Sequence, residues 1–175
     1  QQIFVDIYKF GDWFPVAFAA VASLMAVANF VNSRIVKQYG QRRVSHSATL
    51  VYIACGAVLL ALSLRGQVDF WAFFSILAIM QFAFACASSN VNSLAMEPLG
   101  QVAGTAAAVF GFLQTVGGAV LGTLIGQQFN GTLTPNSAGF VVMGLLVLAC
   151  ILIAESGKLF GVSKEYQQGS AAFAE

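Results

Sequence analysis

The chain has 175 residues, 58% of them hydrophobic and 9% charged, and a mean hydropathy of +0.80. Soluble domains carry roughly a quarter charged residues, so the composition excludes an ordinary soluble domain and a disordered chain. Eight Lys and Arg against seven Asp and Glu leave a net charge of +1, too little for a basic surface that tracks phosphates; the expectation is an all-α integral membrane protein whose partner is the lipid bilayer and not a nucleic acid.

The charges fall in clusters, and the uncharged gaps define the elements, because a charge in hydrocarbon costs several kcal/mol and a spanning helix needs about 20 apolar residues. Asp6, Lys9 and Asp12 come first. Residues 1–12 read as the end of a preceding span followed by an external turn. With Gln1 at the start and no charged leader or cleavage pattern, the chain is expected to be a fragment whose N-terminal half lies upstream. Asp12 can cap a first span over 14–31, with Pro15 in its first turn. Arg34, Lys37, Arg42 and Arg43 occupy the loop 32–46, which leads to a second span over 47–64. Asp69 can cap a third span over 70–90. Glu97 then stands alone in Met96-Glu-Pro-Leu-Gly100. The uncharged stretch 98–154 is too long for one helix. Gly131 and Pro135 divide it into spans over 102–126 and 138–154, the last capped by Asn136 or Ser137. The five-span bundle thus covers 13–158, and 159–175 form a tail.

Loops alternate sides. Arg34, Lys37, Arg42, Arg43, Lys158 and Lys164 fall on one side, Lys9 and Arg65 on the other, which puts loop 32–46 and the C-terminus in the cytoplasm.

Few side chains in the spans are polar, and polar groups there face the bundle interior or a cavity. Asn29, Gln81, Ser88, Ser89, Asn90, Asn92, Gln114 and Thr115 are such groups, with Gln81 and Gln114 near mid-span and therefore candidates to line a cavity or to join helices. Gly40 lies between Arg34 and the Arg42–Arg43 pair and can reverse a helix end. Those basic residues anchor the loop in the cytoplasm or form a hinge. Glu97 is expected to pair with Arg34, Arg42 or Arg43, the four making a cytoplasmic gating network. Gly111, Gly118, Gly122 and Gly126 give the fourth span small stripes suited to helix packing. Cys55, Cys86 and Cys150 read as small core residues, and His46, the single histidine, cannot make a metal site with others. Asn130-Gly-Thr132 fits a glycosylation sequon. Nothing in the motifs points to hydrolytic or redox chemistry, so neither an enzyme nor a bound cofactor or metal is expected.

The stretch 92–119, with its Pro98-containing loop and the Ala103-Gly-Thr-Ala106 start of a Gly-rich helix, resembles the tenth-to-eleventh span region of major facilitator superfamily exporters. More narrowly it is similar to the bicyclomycin/chloramphenicol-resistance (Bcr/CflA) type of drug:proton antiporter. Asn32-Ser-Arg-Ile-Val36 and Gly40-Gln-Arg-Arg43 are similar to that family's loop between spans eight and nine. The resemblance covers nearly the whole chain. It implies the eighth to twelfth helices of a twelve-helix fold, in a bacterial inner-membrane exporter that moves small amphipathic drugs or metabolites by alternating access against entering protons. No acid lies deep in any span, so the proton-binding carboxylate would belong to the N-terminal half. Gly104 stands where some facilitator proteins carry an Arg seven residues after the acid, and the fragment alone is not expected to transport. A non-transporting five-span scaffold or assembly subunit is the alternative, and an exporter of sugars or amino acids a third.

Overall fold

The computed structural model describes residues 3–9, 13–157 and 159–160. Among these residues a short π-helical turn, Ile3–Ile7, precedes five α-helices: α1 (Phe14–Tyr39), α2 (Gln41–Arg65), α3 (Phe70–Met96), α4 (Ala103–Gln127) and α5 (Thr134–Ala154). A 3-10 turn, Glu97–Val102, joins α3 to α4. There is no strand among the described residues. Among the described residues four helical stretches are long and apolar enough to cross a membrane: Phe14–Tyr39, Gln41–Arg65, the run Phe70–Gln127 and Thr134–Ala154. The long run is interrupted at Leu99, whose backbone is non-helical, directly after Pro98, which has no N–H to continue a helix.

α1 and α2 run past the uncharged gaps they contain. α1 continues to Tyr39 and α2 starts at Gln41, so the expected loop 32–46 shrinks to Gly40. Arg and Lys are good helix formers, so they end an apolar stretch without ending the helix. Gly40 adopts φ 80°, a backbone that glycine tolerates without a Cβ clash, and its N–H donates to the Val36 carbonyl. At α3 Asp69 caps as expected, its carboxylate accepting from the N–H groups of Trp71 and Ala72 at 2.9 and 3.4 Å. α5 departs from expectation. It begins at Thr134 with Pro135 in its first turn, and Ser137 turns back to donate to the Leu133 carbonyl at 2.6 Å instead of capping. Asp12, Lys158, Lys164 and the tail beyond Phe160 lie outside the described residues.

α2 packs along α3 and α5, and α1 packs along α3. Arg42 meets Glu155 and Ser63 meets Ser137, so α2 and α5 run antiparallel. One end of the bundle carries Gly40, the other Asp69. At the Asp69 end the core is built of large side chains: Phe4, Leu59, Val68, Phe73 and Leu133. Nearer the Gly40 end it is built of Ala28, Ala48, Ala83, Ala85 and Cys86, small residues that let α1, α2 and α3 approach closely. Gly144 does the same for α2 and α5, since a Cβ there would lie 2.7 Å from Ile53.

α4 runs back from the Gly40 end to the Asp69 end, where Ile125 packs on Gly139 of α5. It buries none of its residues. Gly111, Gly118, Gly122 and Gly126 have nothing within 4 Å of an added Cβ. The expected packing stripe therefore meets no helix among the described residues. Small residues permit close approach without supplying a partner, and here the close approaches use Ala28, Ala83 and Gly144 instead.

Candidate functional site

Polar side chains gather first along the α1–α3 contact. Ser89 donates its hydroxyl to the Asn29 side-chain oxygen at 2.6 Å, and the Asn90 amide donates to Asn32 Oδ1 and to the Cys86 carbonyl, both at 2.8 Å. Nearer Gly40, Gln41 Nε2 donates to Ser93 Oγ at 3.0 Å. Asn32 and Asn90 are buried. The spacing explains the seam: Cys86, Asn90 and Ser93 follow an i, i+4, i+7 pattern on α3, and Ala28 and Asn32 lie four apart on α1, so each set occupies one helix face.

The second gathering is at the Gly40 end. Arg42 and Glu155 form an ion pair at 2.8 Å. His46, four residues on along the same face of α2, is buried and accepts the Phe160 N–H at Nδ1, 3.1 Å. The expected Glu97 network is not formed. Glu97 is exposed and has no ion pair among the described residues, and the same holds for Arg43. The Arg34 guanidinium sits 5.3 Å over the ring of Phe30 on its own helix. Glu155 wins Arg42 because it follows directly on α5, which lies along α2. Glu97 instead heads the 3-10 turn that leads away into α4.

A third group sits at the Asp69 end. The Tyr8 hydroxyl donates to the Val68 carbonyl at 3.0 Å, and its ring stacks on Phe73 at 5.4 Å. Burial, with the Asp69 charge second, pushes this phenol up to about 12. Ile7, Tyr8, Gln67, Val68, Asp69 and Phe70 line an open cavity of about 390 Å³ there.

The chain is similar to a drug-resistance protein. Over 151 residues it is 27% identical to the bicyclomycin resistance protein homolog of Haemophilus influenzae, in an alignment that covers 86% of this chain and 37% of that protein. The chain thus spans little more than a third of that relative's length. No family model and no solved structure matches. The alignment extends over most of the chain and is not confined to one short motif.

Against a resistance protein of that kind, the mid-helix glutamines are the remaining polar candidates. Gln81 is half-buried on α3 and Gln114 is exposed on α4, and neither lines the cavity at the Asp69 end. Among the described residues no group of three or more His, Cys, Asp or Glu is placed to hold a metal ion. Cys86 is buried, but Cys150 is exposed on an apolar helix and not in the core. Asn130 of the sequon accepts from the backbone N–H and the hydroxyl of Thr132, at 3.2 and 2.6 Å. The seam was readable as spacing: polar residues one or two turns apart on two helices that turned out to be neighbours.

Proposed function

We propose that the chain is the C-terminal part of a drug exporter of the major facilitator type, its five helices serving as the eighth to twelfth of twelve. The observation that carries this is the 27% identity to a bicyclomycin resistance protein homolog across 86% of the chain. Two physical features support it. The run Phe70–Gln127 has 58 residues and would extend roughly 87 Å as a straight helix at 1.5 Å per residue, almost three times a hydrocarbon core of about 30 Å. With its break at Leu99 and the return of α4 to the Asp69 end, it suits two spans. The Asp, Glu, Lys and Arg residues also keep away from the helix middles, as a bilayer requires.

In this reading small amphipathic substrates leave a bacterial inner membrane by alternating access, driven by protons, with the Gly40 end and the C-terminus cytoplasmic. None of α1 to α5 carries an acid within it, so the proton-binding carboxylate belongs to the other half of the protein. Gln81 and Gln114 face the path between halves, and the Arg42–Glu155 pair holds the cytoplasmic end while Arg43 and Glu97 meet groups outside this chain. That α4 buries none of its residues also suits a non-transporting scaffold subunit, which would cover that helix permanently. The test is efflux. Bacteria lacking their own exporters receive the gene with its native upstream sequence, and accumulation of an amphipathic dye is followed with and without a protonophore. Lower accumulation that the protonophore abolishes is the expected result. Equal accumulation with and without the gene overturns the exporter reading and leaves the scaffold.

A further inference from the structure

We propose that His46 is a proton-operated latch for Phe160, which follows the turn that ends α5. This goes beyond the transport reading and does not depend on it.

The segment is brought back over the bundle by its own backbone. After Ala154 the N–H of Gly157 donates to the Leu152 carbonyl at 2.7 Å, and Gly157 takes φ 79°, so the chain reverses there as helix ends do. Two tethers then fix it to one face of α2. The first is Glu155 on Arg42, at 2.8 Å. The second is the Phe160 N–H on His46 Nδ1, at 3.1 Å, with the two rings edge to face at 5.7 Å. Arg42 and His46 stand four residues apart, which places both on that face.

The second tether depends on the protonation state of the ring. A neutral imidazole has one acceptor nitrogen and one donor. Accepting at Nδ1 means that the proton is on Nε2. A second proton must go to Nδ1, onto the lone pair that receives the Phe160 N–H, and the nitrogen then becomes a donor facing a donor. The backbone bond is lost, while the ring contact and the Arg42–Glu155 pair do not by themselves require a neutral ring. The charged groups that act on His46 are Glu155, at the end of α5, and Arg42, on its own helix; α1 and α3 contribute none among the described residues. Glu155 carries the charge that a protonated ring attracts, so the first tether is drawn toward the ring as the second opens. The Phe160 tether therefore opens as the ring takes up its second proton.

Within this chain His46 is the single histidine. The protein with its native upstream sequence, labelled with 15N-histidine and placed in lipid nanodiscs, gives imidazole nitrogen signals among which the His46 pair is assigned by its loss in His46→Phe. At neutral pH Nδ1 should show the unprotonated type of shift and Nε2 the protonated type. Hydrogen-exchange protection of the Phe160 amide, corrected for the intrinsic pH dependence of exchange, should fall at least tenfold with the midpoint of the ring titration. In His46→Phe protection should be low at every pH. In Glu155→Gln the fall should persist. The proposal is overturned if the neutral ring carries its proton on Nδ1, if protection stays constant through the titration, or if its pH dependence vanishes in Glu155→Gln, which would assign it to the carboxylate.

Discussion

Asn90 donates its side-chain amide to Asn32 at 2.8 Å across the α1–α3 contact, and both residues are buried. Asn90 also serves the Cys86 carbonyl of its own helix, so one amide links the two helices and covers a backbone oxygen. Hydrogen bonds between membrane helices average about 0.6 kcal/mol and reach about 1.7. Asn90→Leu is therefore expected to destabilise the bundle by about 1 kcal/mol, since it leaves the Asn32 Oδ1 acceptor unpaired in an apolar contact. Asn32→Leu should cost a similar amount. The double variant should cost less than the sum, and unfolding in mixed micelles across the four proteins reads the coupling. Additive costs would mean that the pair contributes no link.

Gly144 and Gly122 look alike in sequence, each a glycine in an apolar helix, and the structure separates them. A Cβ on Gly144 would lie 2.7 Å from Ile53 and 3.3 Å from Tyr52, whereas one on Gly122 has nothing within 4 Å. Gly144→Ala should cost about 1–3 kcal/mol by overpacking α2 against α5. Gly122→Ala should leave the stability of this chain unchanged or raise it slightly, because alanine is the better helix former. The same micelle assay measures both. A loss at Gly122 would show a helix seated on α4.

The difference between those two glycines marks the limit of what the sequence tells. Length, hydropathy and charge gaps located five helical segments, and Asp69 was recognisable as a cap from its position alone. Helix ends were less legible, because Arg34, Lys37, Arg42 and Arg43 satisfy water and helix alike. Partners were the least legible. The fourth helix has the densest small stripes, yet burial follows which helices neighbour one another, and that placed the close contacts at Ala28, Ala83 and Gly144. Glu97 failed to find Arg42 for the same reason: sharing an end of the bundle says nothing about which helix end lies beside which, and Glu155, directly after α5, pairs with Arg42 instead.

That exchange of partners is testable. Arg42 and Glu155 are both partly exposed, and such pairs contribute about 0.2–1 kcal/mol. Glu155→Gln should lower the unfolding free energy by up to about 1 kcal/mol, an effect that high salt reduces. Glu97→Gln, at an exposed carboxylate with no ion pair among the described residues, should stay within about 0.5 kcal/mol of the parent. A reversed order would restore Glu97 as the acid that ties the Gly40 end together.

Tyr8 supplies a pH dependence at the opposite end. Its hydroxyl donates to the Val68 carbonyl, and burial together with the Asp69 charge raises its pKa from 10.0 to about 12. The folded chain thus holds the phenolic proton more tightly than the unfolded chain does. The associated stability is complete below pH 10, declines as the pH climbs from there, and is lost once the folded phenol ionises near 12. Tyr8→Phe keeps the ring stack on Phe73 while removing the donor. It should cost about 1 kcal/mol at neutral pH and abolish this part of the alkaline loss. Tyrosinate absorbance of parent minus variant isolates the Tyr8 step. A midpoint near 12 is expected. A midpoint near 10 would mean that the phenol is freely hydrated and that residues 3–9 are not held against the start of α3.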